Sequence, residues 1–189
     1  MSEGRVTLSV NAPAPLFDLV DIFGRRIKLS EYRGKKVLVA FFRHAGCPFC
    51  NTRVHALQEK EEVFKAKGLE MIFFFESGEE LLRSSQFHKK VSPIPLISDP
   101  AKVWYDAYGV EKSGAKSARS HLTTFFGALI EAKKKNLPVH WMQDGESIKT
   151  IPAEFLVDEK GFVKQLYYAR GLRDRMSMEQ IEGFIKTNL

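Results

Sequence analysis

Residues 36–50 read KVLVAFFRHAGCPFC, and they hold the strongest structural signal in the chain. Val37 to Phe42 form an unbroken apolar run, the pattern of a strand buried on both faces. The last four residues, Cys47, Pro48, Phe49 and Cys50, include both cysteines of the 189-residue chain. A proline directly after Cys47 suits the first turn of a helix, where its missing N–H costs nothing. This spacing brings two thiols within bonding reach when the first sits at a helix N-terminus and the second one turn in. The stretch therefore predicts strand, loop and helix, with a dithiol at the junction.

Working outward, a helix is expected from about Pro48 to Lys67. Val54, Leu57, Glu61 and Phe64 keep roughly helical spacing, and Gly68 ends it. LEMIFFFE, residues 69–76, is a second apolar strand, so the three elements form a right-handed parallel βαβ unit. Near the far end, AEFLVDEKGFVKQLYYA (153–169) predicts an antiparallel hairpin turning at Glu159–Gly161. SMEQIEGFIKTNL closes the chain as a helix, with Ser177 as cap and Gln180 completing a capping box. Upstream, APAPLFDLV is extended because each proline restricts itself and its predecessor. DIFGRRIKLSEYRGK then gives a glycine turn, a short strand and a one-turn helix. The order predicts an α/β fold, a mixed sheet with helices on both faces.

Residues 76–150 are too long for a plain loop. EELLRSSQFHKK reads as helical, and PLISDPAKVWYDAYGV as a short strand followed by a helix. Asp99 is its expected N-cap, Pro100 its first position and Gly109 its terminator. In SHLTTFFGALIEAKKKN, Leu122, Phe125, Phe126, Leu129 and Ile130 make one face of an amphipathic helix ending at Lys133–Lys135. Its apolar face is expected to pack on the domain, with a homodimer interface as the alternative. The chain thus reads as one domain over residues 1–189, with a helical insertion at about 110–140.

At 44% hydrophobic and 28% charged, the composition is that of an ordinary soluble domain. The N-terminus lacks the long apolar run of a secretory signal, and no stretch reaches the 18 or so apolar residues of a membrane span. A cytoplasmic location without a membrane partner is the expectation. The net charge of +6 is spread along the chain, with no zinc finger, RNA-binding aromatic motif or arginine-rich arm. Nucleic acid is not an expected partner.

Three chemistries fit the paired cysteines: a redox pair, half of a metal site, or two inert buried thiols. The positive end of the helix and its unpaired N–H groups favour a thiolate at Cys47, below the free value of about 8.5. Cys50, deeper in the helix, is expected to stay a thiol until it resolves a mixed species on Cys47. Arg43 and His44 stand just upstream to add positive potential, and His44 is placed to exchange a proton with Cys47. The plainer alternatives are a surface charge and a loop histidine bonded to backbone. A zinc site needs about four ligands. His44 and His55 would complete one, but the second knuckle is missing, so no metal or cofactor is expected.

The buried strand, the Cys-X-X-Cys at the next helix start and the later Ile151-Pro152 before AEFLVDEKG resemble the thioredoxin fold. That fold is a three-layer α/β/α sandwich, and the resemblance runs from about Ala12 to the C-terminus. NAPAPLFDLVDIFGRRIKLSEYRGKKVLVAFF and SDPAKVWYDAYGV are similar to its peroxiredoxin-like (alkyl hydroperoxide reductase/thiol-specific antioxidant) branch. RHAGCPFC resembles the active site of members carrying Cys-X-X-Cys. The resemblance implies a cis-proline facing the cysteines at Pro152, and a substrate-binding backbone at Ile151, joined by Pro48 and Phe49 beside the sulfurs. It also shows departures from the usual Pro-x-x-x-Thr-x-x-Cys motif. His44 stands in the place of the threonine, Ala40 in that of the proline, and Pro152 in that of the catalytic arginine.

The implied activity is thiol–disulfide oxidoreduction by a Cys47/Cys50 dithiol in antioxidant or thiol-redox homeostasis. The alternative is a thiol peroxidase, with Cys47 peroxidatic and Cys50 resolving; a non-catalytic redox-sensing module is a third reading. Expected partners are protein or small-molecule disulfides, or peroxides, and a thiol reductant such as thioredoxin or glutathione.

Overall fold

The computed structural model describes residues 7–110, 112–113, 127, 130–138, 146–147 and 149–187. A five-stranded mixed sheet forms its centre. In chain order its strands are β3 (Lys36–Phe41), β4 (Leu69–Phe75), β5 (Leu96–Ser98), β6 (Ala153–Val157) and β7 (Val163–Tyr168). They lie side by side as β5-β4-β3-β6-β7. β3, β4 and β5 run parallel, while β6 and β7 are antiparallel to their neighbours. A separate two-stranded ribbon pairs β1 (Asp18–Val20) with β2 (Arg26–Lys28), and a 3-10 turn follows at Leu29–Tyr32.

The apolar runs of β3 and β4 are explained by two cores, one on each face of the sheet. Leu38, Ala40 and Phe42, with Met71, Phe73 and Phe75, enter a core shared with four helices. These are α1 (Pro48–Gln58), α2 (Glu61–Ala66), α3 (Glu79–Ser84) and the C-terminal helix, called α6 here (Met178–Lys186). Val37, Val39 and Phe41, with Ile72 and Phe74, enter the other core. There they meet Phe17, Ile27, Leu29 and, from α5 (Val103–Ala107) and its end, Tyr105 and Tyr108. Phe41 stacks on Phe74 with ring centroids 4.7 Å apart, which locks the central strand pair on that side. A short helix α4 (Gln86–Lys89) follows α3.

Several expected devices are present. Gly68 and Gly109 end their segments with φ of +85° and +65°. Asp158 Oδ1 accepts from the Lys160 and Phe162 N–H groups, and Gly161 takes a φ of +79° at the hairpin. Ser177 and Gln180 form the capping box of α6.

Four expectations are corrected. The helix after the cysteines breaks between Gln58 and Glu61, where Lys60 N–H bonds back three residues to Leu57. No glycine or proline stands at the break, so the apolar spacing carried straight across it. EELLRSSQFHKK forms two short helices, because Ser85 is extended and caps α4. α5 starts at Val103 rather than Pro100, since Lys102 adopts a left-handed φ of +61°. The Asp99 carboxylate still caps it, accepting from Val103 N and Trp104 N at 3.1 and 2.8 Å.

The fourth correction concerns Pro152. The cis peptide among the described residues is Ser92–Pro93, and Ile151–Pro152 is trans. Phe41 opposite Ala153 is the last pair between β3 and β6, so the proline's missing N–H falls just beyond that ladder. Its carbonyl accepts from Ala169 N–H at 3.0 Å, and the chain runs directly into β6. In the insertion, Gly127 and residues 130–134 are helical and Ile130 is exposed. Leu122, Phe125, Phe126 and Leu129 lie outside the described residues.

Candidate active site

The site is built where β3 ends and α1 begins. The intervening loop is held from several sides. Tyr105 Oη donates to Phe42 O at 2.6 Å, and Ala45 N–H to Ser77 Oγ at 2.7 Å. Asn51 Nδ2 donates to both Ala45 O and Pro138 O, at 2.6 and 2.8 Å, tying α1 to the loop and to the insertion. Cys47 is the N-cap of α1 and Pro48 its first residue, as the spacing predicts. Cys50 sits in the first turn.

Both thiols are free and buried, Cys47 at 1% exposure and Cys50 at 0%. Arg43 is as buried as Cys47, at 1%, and its Nη1 lies 3.6 Å from Cys47 Sγ. Its backbone N–H points at Cys50 Sγ, 3.4 Å away. A second guanidinium approaches from the other end of the chain, with Arg175 Nη2 4.0 Å from Cys50 Sγ.

These surroundings divide the two sulfurs. Burial pushes the Cys47 thiol up, because a charge is poorly solvated there. The hydrogen bond from the Cys50 thiol, the Arg43 charge, the Cys50 backbone N–H and Arg175 together outweigh it and bring Cys47 down to about 6. Cys50 is pushed well above the ordinary range by burial, by the hydrogen bond it gives to Cys47 and by the nearby Cys47 charge. Near neutral pH the pair is one thiolate and one thiol sharing a proton-mediated contact.

The site residues expected from sequence are placed as follows. Cys47, Cys50 and Arg43 come together directly. Arg43 is no surface charge. His44 contributes its carbonyl, which accepts from Cys47 N–H at 3.0 Å, while its ring Nδ1 lies 3.7 Å from Glu146 Oε2. Glu146 is also bonded to Ser77 Oγ, so the ring is tied to the end of β4. Pro48 and Phe49, which separate the two cysteines in sequence, are buried, and Ile151 shares the apolar core of Phe49. Pro152 is engaged at the end of β7 through its carbonyl. His55, the remaining histidine of the zinc alternative, has its Nε2 3.9 Å from Glu59 Oε1 on a partly exposed side of α1.

Residues 10–166 match the AhpC/TSA family. The chain belongs to the AhpC/TSA family. Among curated relatives, peroxiredoxin Q of rice chloroplasts (Oryza sativa subsp. japonica) is 33% identical over 104 residues, 54% of this chain and 47% of that one. The bcp chain of Buchnera aphidicola subsp. Schizaphis graminum is 25% identical over 168 residues, 89% of each chain. This AhpC/TSA chain thus spans about half the length of its rice relatives and most of the bacterial one. A solved structure of reduced 2-Cys peroxiredoxin from Plasmodium vivax superposes with a TM-score of 0.61 at 19% identity. It covers 93% of this chain and 79% of the other, which establishes the thioredoxin-like peroxiredoxin fold.

Sequence reasoning missed the residues that tie α1 to β6 and to the segment carrying Arg175. Arg53 on α1 forms a buried two-pronged pair with Glu154 on β6, at 2.8 and 2.9 Å. The same two residues grip Met176, Arg53 through its carbonyl at 2.9 Å and Glu154 through its N–H at 3.0 Å. One signal was available. Glu154 interrupts the apolar run AEFLV, and a carboxylate inside a central strand requires a buried cation. Arg175 left no such trace, because it lies 125 positions from Cys50.

Proposed function

We propose that the chain is a thiol peroxidase that reduces small hydroperoxides with Cys47 and closes a Cys47–Cys50 disulfide. The observation that carries this reading is the coverage of the reactive sulfur: Cys47 is 1% exposed with Arg43 against it. A small hydroperoxide needs far less room to approach such a sulfur than a protein disulfide does. A protein disulfide must bring its two sulfurs into line with the attacking thiolate, which this cover opposes. Membership of the AhpC/TSA family supports the same reading, as do relatives that carry the peroxiredoxin name.

The Cys47 thiolate attacks the terminal oxygen of ROOH; the S–O bond forms, the O–O bond breaks and RO⁻ leaves to take a proton. The sulfur is oxidised to sulfenic acid by two electrons and the peroxide is reduced by two. Arg43 supplies positive charge beside the reacting sulfur before the reaction begins, the preorganisation that lowers such barriers. Cys50 then loses its proton and attacks Cys47; the S–S bond forms, the S–O bond breaks and hydroxide leaves as water. An external thiol reductant, such as thioredoxin or glutathione, returns two electrons by disulfide exchange. His44 and Ala40 replace the usual threonine and proline, so in this chain the cationic part of the site falls to arginines.

Thiol–disulfide exchange is the second reading, favoured by the opposite pKa shifts of Cys47 and Cys50 within one Cys-X-X-Cys. Product analysis separates the two. With one equivalent of hydrogen peroxide the protein is expected to become two hydrogens lighter, and Cys50→Ser to yield a dimedone adduct on Cys47. An untouched Cys47 in a protein that rapidly reduces insulin disulfides would establish the second reading instead.

A further inference from the structure

The reaction needs two thiolates in succession, and a different guanidinium lies near each sulfur. The reduced site keeps Cys50 protonated, and resolution begins only after that proton departs. We infer that Arg175 is the residue that activates Cys50 for resolution, held against its sulfur by a clamp on the neighbouring residue. The inference rests on the reading of Cys50 as the resolving thiol.

Arg175 is placed by its own backbone contacts. Nη1 donates to Leu172 O and Asp174 O at 2.8 and 2.7 Å, which fixes one edge of the guanidinium. The other edge carries Nη2, 4.0 Å from Cys50 Sγ, and a buried Nε that has no hydrogen-bond partner among the described residues. The segment bearing it is pinned on both sides. Asp174 accepts from Tyr167 Oη and Arg170 N–H at 2.5 and 2.7 Å, and Met176 is gripped at both backbone groups by Arg53 and Glu154. Arg53 lies on α1 three residues beyond Cys50, so the clamp and the sulfur belong to one rigid element.

The electrostatics follow the same division. Arg43 acts more strongly on Cys47 than Arg175 does, and Arg175 more strongly on Cys50 than Arg43 does. Once Cys47 is a neutral sulfenic acid, the repulsion that kept Cys50 protonated is gone. The Arg175 charge then favours the Cys50 thiolate, which attacks Cys47 and expels hydroxide. Arg53 and Glu154 are positioning residues for this step.

The test reads Cys50 alone, in a Cys47→Ser background where it is the only thiol. The rate of modification by methyl methanethiosulfonate is followed against pH, with and without Arg175→Met. Loss of the charge is expected to slow modification at pH 8 by about tenfold, matching a smaller thiolate fraction, with Arg175→Lys restoring much of the rate. Equal rates would overturn the inference. Faster modification in Arg175→Met would also overturn it, since that outcome marks Arg175 as packing that merely shields the sulfur. The readout uses no peroxide, so a protein that proves inert to peroxide refutes the proposed function without deciding this one.

Discussion

Arg43 and Cys47 meet inside the protein: the guanidinium Nη1 stands 3.6 Å from a sulfur with which it shares almost complete burial. A buried arginine without a counter-charge would be costly, and a buried thiolate equally so. The pair converts an apolar strand end into a place where one negative charge is stable at neutral pH.

The first prediction is a pH profile. Cys47 is lowered to about 6, so the charged form is the one the folded site favours. Its alkylation by iodoacetamide is expected to be flat above about pH 7 and to fall tenfold per pH unit below about 6. Arg43→Met removes the nearest charge and shifts the midpoint upward, slowing the reaction at pH 7 by about tenfold or more. A profile with the free-thiol midpoint near 8.5 in the unaltered protein would contradict the assignment.

The Arg53–Glu154 pair predicts a stability pattern. Glu154→Gln leaves a buried guanidinium facing a neutral group and is expected to cost about 3 kcal/mol, read as a shift in the urea midpoint. Changing both residues, as Arg53→Met with Glu154→Leu, should recover a large part of that loss. A double variant as unstable as the sum of Arg53→Met and Glu154→Leu made singly would show that the pair is not energetically coupled.

Lys36 gives a local prediction. Its Nζ donates to the carbonyls of Phe184, Ile185 and Thr187 at the end of α6, the first two at 3.0 and 2.9 Å. A cation there satisfies orphan carbonyls and opposes the helix dipole. Lys36→Met is expected to lower stability by about 1–2 kcal/mol. Amide exchange should speed up in the last turn of α6 before it does in β3 and β4.

Gly161 predicts a backbone effect. Its φ of +79° disfavours any side chain, and an added Cβ would press on the Arg33 guanidinium. Gly161→Ala is expected to cost about 1–2 kcal/mol with the redox site intact, measured by thermal unfolding alongside Cys47 alkylation.

Much of this architecture was legible in the sequence because it rests on local signals. The apolar run from Val37 to Phe42, the Cys-Pro-Phe-Cys at a helix start and the Ser177–Gln180 box each specify their structure within one element. The same holds for the hairpin at Gly161. What stayed hidden depends on contacts distant along the chain or on choices without a sequence marker. The break at Lys60 has no glycine or proline, and the trans Ile151–Pro152 bond follows from how β6 meets β3 and β7. Sequence placed Arg43 beside Cys47 but did not show its burial, which follows when the fold closes over it, and Arg175 joins the site only when the C-terminal segment packs beneath α1. The dithiol and the arginine just upstream of it were thus readable, while the approach of Arg175 to Cys50 was not.

Stopped-flow mixing of the reduced protein with hydrogen peroxide at pH 7 tests the central claim most directly. The predicted result is oxidation of Cys47 that, per thiolate, runs about 10³-fold or more above free cysteine, the scale on which a preorganised charged site acts. A slower second phase should follow and disappear in Cys50→Ser. Oxidation of the Cys47 thiolate at the rate of free cysteine would contradict the account.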